Sequence, residues 1–134
     1  MAKLIDIEGI GETYAEKLRA VGVRSTDALL SMGATRKGRQ DLAEKSGVSE
    51  ALILRWVNHA DLFRIKGVGE EYSDLLEAAG VDTVVELAQR HPANLREQLA
   101  AANAERKRVR QLPTPDQVKD WVKQAKRLKR VVEY

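Results

Sequence analysis

The chain contains no cysteine, only three prolines, and aromatic residues at just 4% of 134 positions. Without cysteine there is no disulfide frame, no thiolate nucleophile and no cysteine-based zinc site. With so few aromatic rings, a core has to be built mainly from Leu, Ile, Val and Ala. No stretch approaches the roughly 18 apolar residues needed to cross a membrane. The opening Met1-Ala2-Lys3-Leu4 lacks the apolar run of a secretory signal. These absences together predict a helical protein working in the cytoplasm, with no membrane association.

Strand-like alternation is almost missing too, whereas apolar spacing near 3.6 residues recurs throughout and predicts an all-α fold. Tyr14, Leu18 and Val21 form one stripe, and Tyr72, Leu75, Leu76 and Ala79 another. Short helices are expected from about Ser25 to Met32 and Thr83 to Arg90, with others near Arg36 to Lys45 and Pro92 to Asn103. A helix from Ser49 to Ile65 places Leu52, Trp56, His59 and Phe63 on one face. A final helix after Thr114 carries Val118, Trp121, Val122, Ala125 and Leu128. Ser49 and Thr114 are suitable N-caps, Pro92 suits a first helical position, and Gly22 and Gly80 suit left-handed helix ends. The total expected is nine or ten helices.

The most informative presence is an internal repeat. Leu4-Ile5-Asp6-Ile7-Glu8-Gly9-Ile10-Gly11-Glu12-Thr13-Tyr14 returns as Leu62-Phe63-Arg64-Ile65-Lys66-Gly67-Val68-Gly69-Glu70-Glu71-Tyr72. The correspondence runs on through Leu18, Ala20, Gly22 and Val23 to Leu76, Ala78, Gly80 and Val81, and ends on Trp56-Val57 against Trp121-Val122. Two homologous halves are therefore expected, residues 1–65 and 49–134, sharing the helix 49–65 and packed as one helical body related by a pseudo-twofold.

Each half contains a Gly-apolar-Gly turn that opens a helix. The glycines allow positive φ and close approach of a neighbouring group. Ile10 or Val68 can plug the interior, while the helix N-terminus beyond Gly11 or Gly69 presents N–H groups to an anion. These turns resemble the hairpins of helix-hairpin-helix DNA-binding proteins, which grip phosphates through hairpin amides, mostly without reading sequence. The tandem arrangement also resembles a bacterial family of tandem helix-hairpin-helix units without an assigned activity. The resemblance covers nearly the whole chain. It implies nucleic-acid contacts at Gly9, Ile10 and Gly11, and at Lys66, Gly67, Val68 and Gly69.

Charge adds a second candidate surface. The net charge is only +3, but it is unevenly spread: ten basic and nine acidic residues up to Ile65, three and seven from Lys66 to Asn103, and ten and four thereafter. The basic excess lies in an insertion holding Arg106, Lys107, Arg108 and Arg110, and on a last helix with Lys123, Lys126, Arg127 and Arg130. Such clusters suit sequence-independent phosphate binding. Arg36, Lys37 and Arg39 make a weaker counterpart in the first half. Against the DNA reading stand Glu8, Glu12, Glu70 and Glu71, carboxylates at or beside the helix starts that would repel phosphate. They favour the alternative, an interaction or scaffold module whose basic face meets an acidic protein partner.

Nothing in the sequence designates catalysis, a cofactor or a metal. His59 and His91 are the only histidines; the first sits among apolar neighbours and the second at a helix junction before Pro92. The glycine turns lack the Gly-Lys-Ser/Thr ending of a phosphate-binding loop and follow no strand. The leading expectation is a non-catalytic module that binds duplex DNA without sequence preference.

Overall fold

A computed structural model describes residues 3–134. Met1 and Ala2, part of the opening segment considered above, lie outside the described residues. Among those described there is no strand. A 3₁₀ turn at Leu4–Asp6 is followed by α1 (Glu12–Ala20), α2 (Thr26–Met32), α3 (Arg36–Ser46), α4 (Glu50–Leu62), α5 (Glu70–Ala78), α6 (Val84–Ala88), α7 (Pro92–Glu105) and α8 (Pro115–Arg127). The count is thus eight α-helices among the described residues, below the nine or ten expected. The segment leading into the first glycine turn is a 3₁₀ turn, and α4 leads into the second through the turns of residues 63–67, so neither adds a further α-helix.

Most helix boundaries follow local chemistry. Ser25, Thr35 and Thr83 accept hydrogen bonds from the amides of Ala28, Gly38 and Glu86, satisfying N–H groups that the first helical turn leaves without partners. Thr114 and Gln117 bond reciprocally at the start of α8, which opens on Pro115. After α1, the amide of Val23 reaches the carbonyl of Leu18 and that of Gly22 reaches Arg19; Val81, Leu76, Gly80 and Glu77 repeat the arrangement after α5. Gly22 and Gly80 have φ of 93° and 89°, the left-handed geometry such a helix end requires.

The chain divides into two compact units. One comprises the described residues up to Asp61 together with Val131–Tyr134; the other is Leu62–Arg130. In the first, α1 packs on the 3₁₀ turn and on α3, and α2 packs on α3. Its buried side chains include Leu4, Ile7, Ile10, Leu18, Leu29, Leu42, Ile53 and Trp56. In the second, α8 lies against α6 and α7, and α7 against α5. A core of Leu75, Leu76, Leu87, Leu95, Leu99, Val118, Trp121 and Val122 fills that unit. At roughly 2 kcal/mol for each fully buried large aliphatic, these aliphatic layers supply the driving force that scarce aromatics cannot. Leu128 departs from the expected apolar face. α8 stops at Arg127, Leu128 adopts extended backbone, and its side chain is exposed.

Among the described residues no helix is long and apolar enough to cross a membrane.

Candidate nucleic-acid interface

The two Gly-apolar-Gly turns have closely matched geometry. Gly9 and Gly67 have φ of 94° and 95°, a region that side-chain-bearing residues rarely adopt. Both rest against a buried tryptophan. A Cβ on Gly9 would lie 3.5 Å from Trp56 Nε1, and one on Gly67 3.1 Å from Trp121 Nε1. Each tryptophan also meets a tyrosine from the helix after the turn, Tyr14 on Trp56 at 5.0 Å and Tyr72 on Trp121 at 5.1 Å between ring centres. Ile10 and Val68 are buried, and their amides close back onto the carbonyls of Ile7 and Ile65 at 3.1 Å. The apolar residue between the glycines is therefore an internal plug.

The second glycine of each turn is different. Gly11 and Gly69 are the N-caps of α1 and α5, with φ of −87° and −118°, values any residue accepts. A Cβ at either would meet nothing within 4 Å. Neither backbone geometry nor internal packing asks for glycine there. Serine or aspartate would cap better, and serine or threonine does cap α2, α3, α6 and α8. α1 and α5 instead begin with exposed glycine and no side-chain cap. This leaves open space before two helix N-termini, where an external anion can approach the N–H groups.

Around the second turn the structure gathers cations. Gln124 of α8 holds the turn at both backbone groups of Lys66: Oε1 accepts from the Lys66 amide at 2.9 Å, and Nε2 donates to the Lys66 carbonyl at 3.1 Å. Nε2 also bonds Asp120 Oδ2 at 2.8 Å, which fixes the amide's orientation. Arg64 Nη1 donates to the Lys129 carbonyl at 3.0 Å. The turn is thereby tied along α8 and its C-terminal extension, which bear exposed Lys123, Lys126, Arg127, Lys129 and Arg130. Arg130 lies beyond the end of α8, so helical spacing does not set its direction.

The first turn has Glu8 where the second has Lys66, yet it too has a cation nearby. Arg55 Nη1 lies 3.9 Å from the Cβ position of Gly9. Sequence reasoning passed over Arg55; the available signal was its place just before Trp56, the residue that meets the first glycine. Glu12, at the start of α1, pairs with Arg19 at 3.2 Å.

The basic insertion is fastened down. Asn103 Oδ1 accepts from the amides of Arg108 and Val109, and Tyr72 donates its hydroxyl to the Gln111 carbonyl. Arg108 turns toward Asp74, reaching its two carboxylate oxygens at 3.2 and 3.0 Å. Its guanidinium is thus engaged within the unit, whereas Arg106, Lys107 and Arg110 are exposed. The first-half cluster also separates. Arg36 and Lys37 are exposed, but Arg39 is buried, donating to the carbonyls of Gly33, Ala34 and Glu133. Burial lowers its pKa below the usual arginine value. His59 is buried and His91 exposed. Among the described residues, no group of three or more His, Asp or Glu side chains is placed to hold a metal ion.

No curated protein matches the chain, and no solved structure does. A family model does match, over residues 8–128, and both tryptophans and both glycine turns fall inside that span. The chain belongs to the family described as domain of unknown function DUF4332.

Proposed function

We propose that the protein is a non-catalytic module that binds duplex DNA without sequence preference, working in the cytoplasm through two helix-hairpin-helix units that arose by internal duplication. The observation that carries this reading is the pair of uncapped helix N-termini behind Gly11 and Gly69, where glycine has no internal reason to be present. Close approach of a phosphate oxygen supplies one. The matched φ values at Gly9 and Gly67 and the matched Tyr–Trp contacts support the duplication.

On this reading the second turn is the stronger contact, because Gln124 ties it to the helix carrying Lys123, Lys126 and Arg127. Amides position a phosphate, and the cations supply most of the affinity. Arg108 contributes by holding the insertion to α5, and Arg106, Lys107 and Arg110 remain available to phosphates. The test is anisotropy of a labelled random duplex titrated with the protein across a salt series. Replacing Lys123, Lys126 and Arg127 by Gln should lower the slope of log affinity against log salt by about 0.9 for each phosphate that is no longer neutralised.

A second reading has its own observation. Glu12, Glu70 and Glu71 are exposed in the first turns of α1 and α5, where they stabilise the helix dipole and repel phosphate. A scaffold module whose basic face meets an acidic protein fits that arrangement. Absence of duplex binding even at low salt would select it.

A further inference from the structure

The segment Val131–Tyr134 forms no helix, yet it belongs to the first unit while the residues just before it belong to the second. It is fastened to the turn between α2 and α3. The Glu133 amide donates to the Ala34 carbonyl at 2.7 Å, and the Glu133 carbonyl accepts from Arg39 Nη2 at 2.6 Å. Arg39 Nη1 holds the same turn at the carbonyls of Gly33 and Ala34. Val132 is only 3% exposed, and Tyr134 shares one cavity wall with Arg36 and Arg39. The segment thus answers Arg39 twice. It supplies the acceptor for Nη2, and the charge of Tyr134, with that of Glu50, opposes the desolvation that lowers the Arg39 pKa.

The hold on this segment is slight. Val132 is its one buried side chain, Glu133 and Tyr134 are exposed, and a cavity of about 350 Å³ remains beside Tyr134. Residues 126–130, which lead into it, are all exposed. Arg64 anchors the backbone at Lys129, so the segment can leave without disturbing α8. Stretches with few buried apolar contacts are those that open locally. What it covers is basic. Arg36 and Lys37 are exposed at the start of α3, whose first turn carries no carboxylate, unlike those of α1 and α5. We propose that Val131–Tyr134 is an autoinhibitory strap: docked, it engages Nη2 of Arg39 and sets Tyr134 against Arg36; released, it opens Arg36, Lys37 and Arg39 as one phosphate-binding cluster. For its ligand the strap rests on the DNA reading, to which it adds a means of regulation. Sequence groups these three cations, and docking of the strap is what separates them.

The test uses the full-length chain with Val132→Asp, which expels the strap, and Val132→Ala, which loosens it and keeps the test open where the first variant does not fold. Hydrogen exchange at the Glu133 amide reads release directly. It should quicken by roughly tenfold in Val132→Ala, the effect of losing two buried methyl groups, and further in Val132→Asp. Anisotropy of a labelled random duplex should then show tighter binding by both variants. The slope of log affinity against log salt should steepen by about 0.9 for each further phosphate neutralised. Val132→Asp adds a negative charge, so a gain there runs against simple charge arithmetic. Replacing Arg36 and Lys37 by Gln should cancel the gain in the released chains and change wild-type binding little. Wild-type affinity in both variants, with Glu133 exchange showing release, would overturn the strap and leave the DNA reading standing. A gain that survives the loss of Arg36 and Lys37, or unchanged exchange at Glu133, would overturn the strap as well. Absence of duplex binding by every one of these chains at low salt would overturn both.

Discussion

Gly69→Ser separates what the second glycine does for the protein from what it does for a ligand. The position has φ −118° and extended ψ, with nothing within 4 Å of a Cβ. Serine fits that backbone without strain, and as an N-cap it can accept a hydrogen bond from the first turn of α5 that glycine cannot. Serine exceeds glycine as a cap by only a few tenths of a kcal/mol. The expected stability change is therefore a gain of about 0.2–0.5 kcal/mol, or a rise in melting temperature of roughly 1–4 °C for a unit of this size. The effect on DNA has the opposite sign. The new hydroxyl occupies the amides and the open space that a phosphate oxygen would use. Loss of a hydrogen bond to a charged group costs about 1.5–3 kcal/mol, a ten- to hundredfold loss of affinity. Its salt slope should stay unchanged, since no cation is removed. Thermal melts read the first effect, and duplex anisotropy at several salt concentrations reads the second. Full-affinity binding by Gly69→Ser would refute the contact at the second hairpin, leaving binding to the first hairpin and the cationic face of α8. A large stability loss would refute the inference that glycine is dispensable to the fold.

Other substitutions probe the surrounding features. Gly67→Ala should destabilise by about 1–3 kcal/mol in a denaturant melt, because its φ of 95° is unfavourable for alanine and the added Cβ crowds Trp121 at 3.1 Å. Gln124→Ala removes two bonds from the Lys66 backbone at an exposed site. It should cost only about 1 kcal/mol of stability while weakening duplex binding, and unchanged binding would show that the clasp does not position the turn. Arg108→Ala should lower stability by about 1–3 kcal/mol by leaving Asp74 without this partner, with no change in the salt slope. A reduced slope would place Arg108 among the phosphate contacts after all. Gly38→Ala should also destabilise measurably in thermal melts, since its Cβ would collide with the backbone carbonyl oxygen of Met32.

Much of the local structure is legible in the sequence because its causes lie within a few residues. Ser25, Thr35, Thr83 and Thr114 cap amides three positions on, and Gly22 and Gly80 end their helices through bonds that span three to five residues. The apolar period then decides which face of each helix is buried, as at Leu18, Leu76, Trp56 and Trp121. Even the positive φ of Gly9 and Gly67 follows from a short motif. What each charged side chain is free to do was decided elsewhere. Arg39, grouped by sequence with two exposed cations, is buried against carbonyls five, six and 94 positions away. Arg108 stands in the most basic run of the chain but is held by Asp74, 34 residues earlier. Gln124, an ordinary polar residue in a helix pattern, clasps Lys66 across 58 positions, and Arg55 comes beside Gly9 through the packing of Trp56. Such partners have no period and no fixed spacing, since they depend on where two packed surfaces meet. Hydrogen-bond and apolar patterns near in sequence therefore determine the helices, while tertiary packing alone determines which cations face solvent and which hold the fold together.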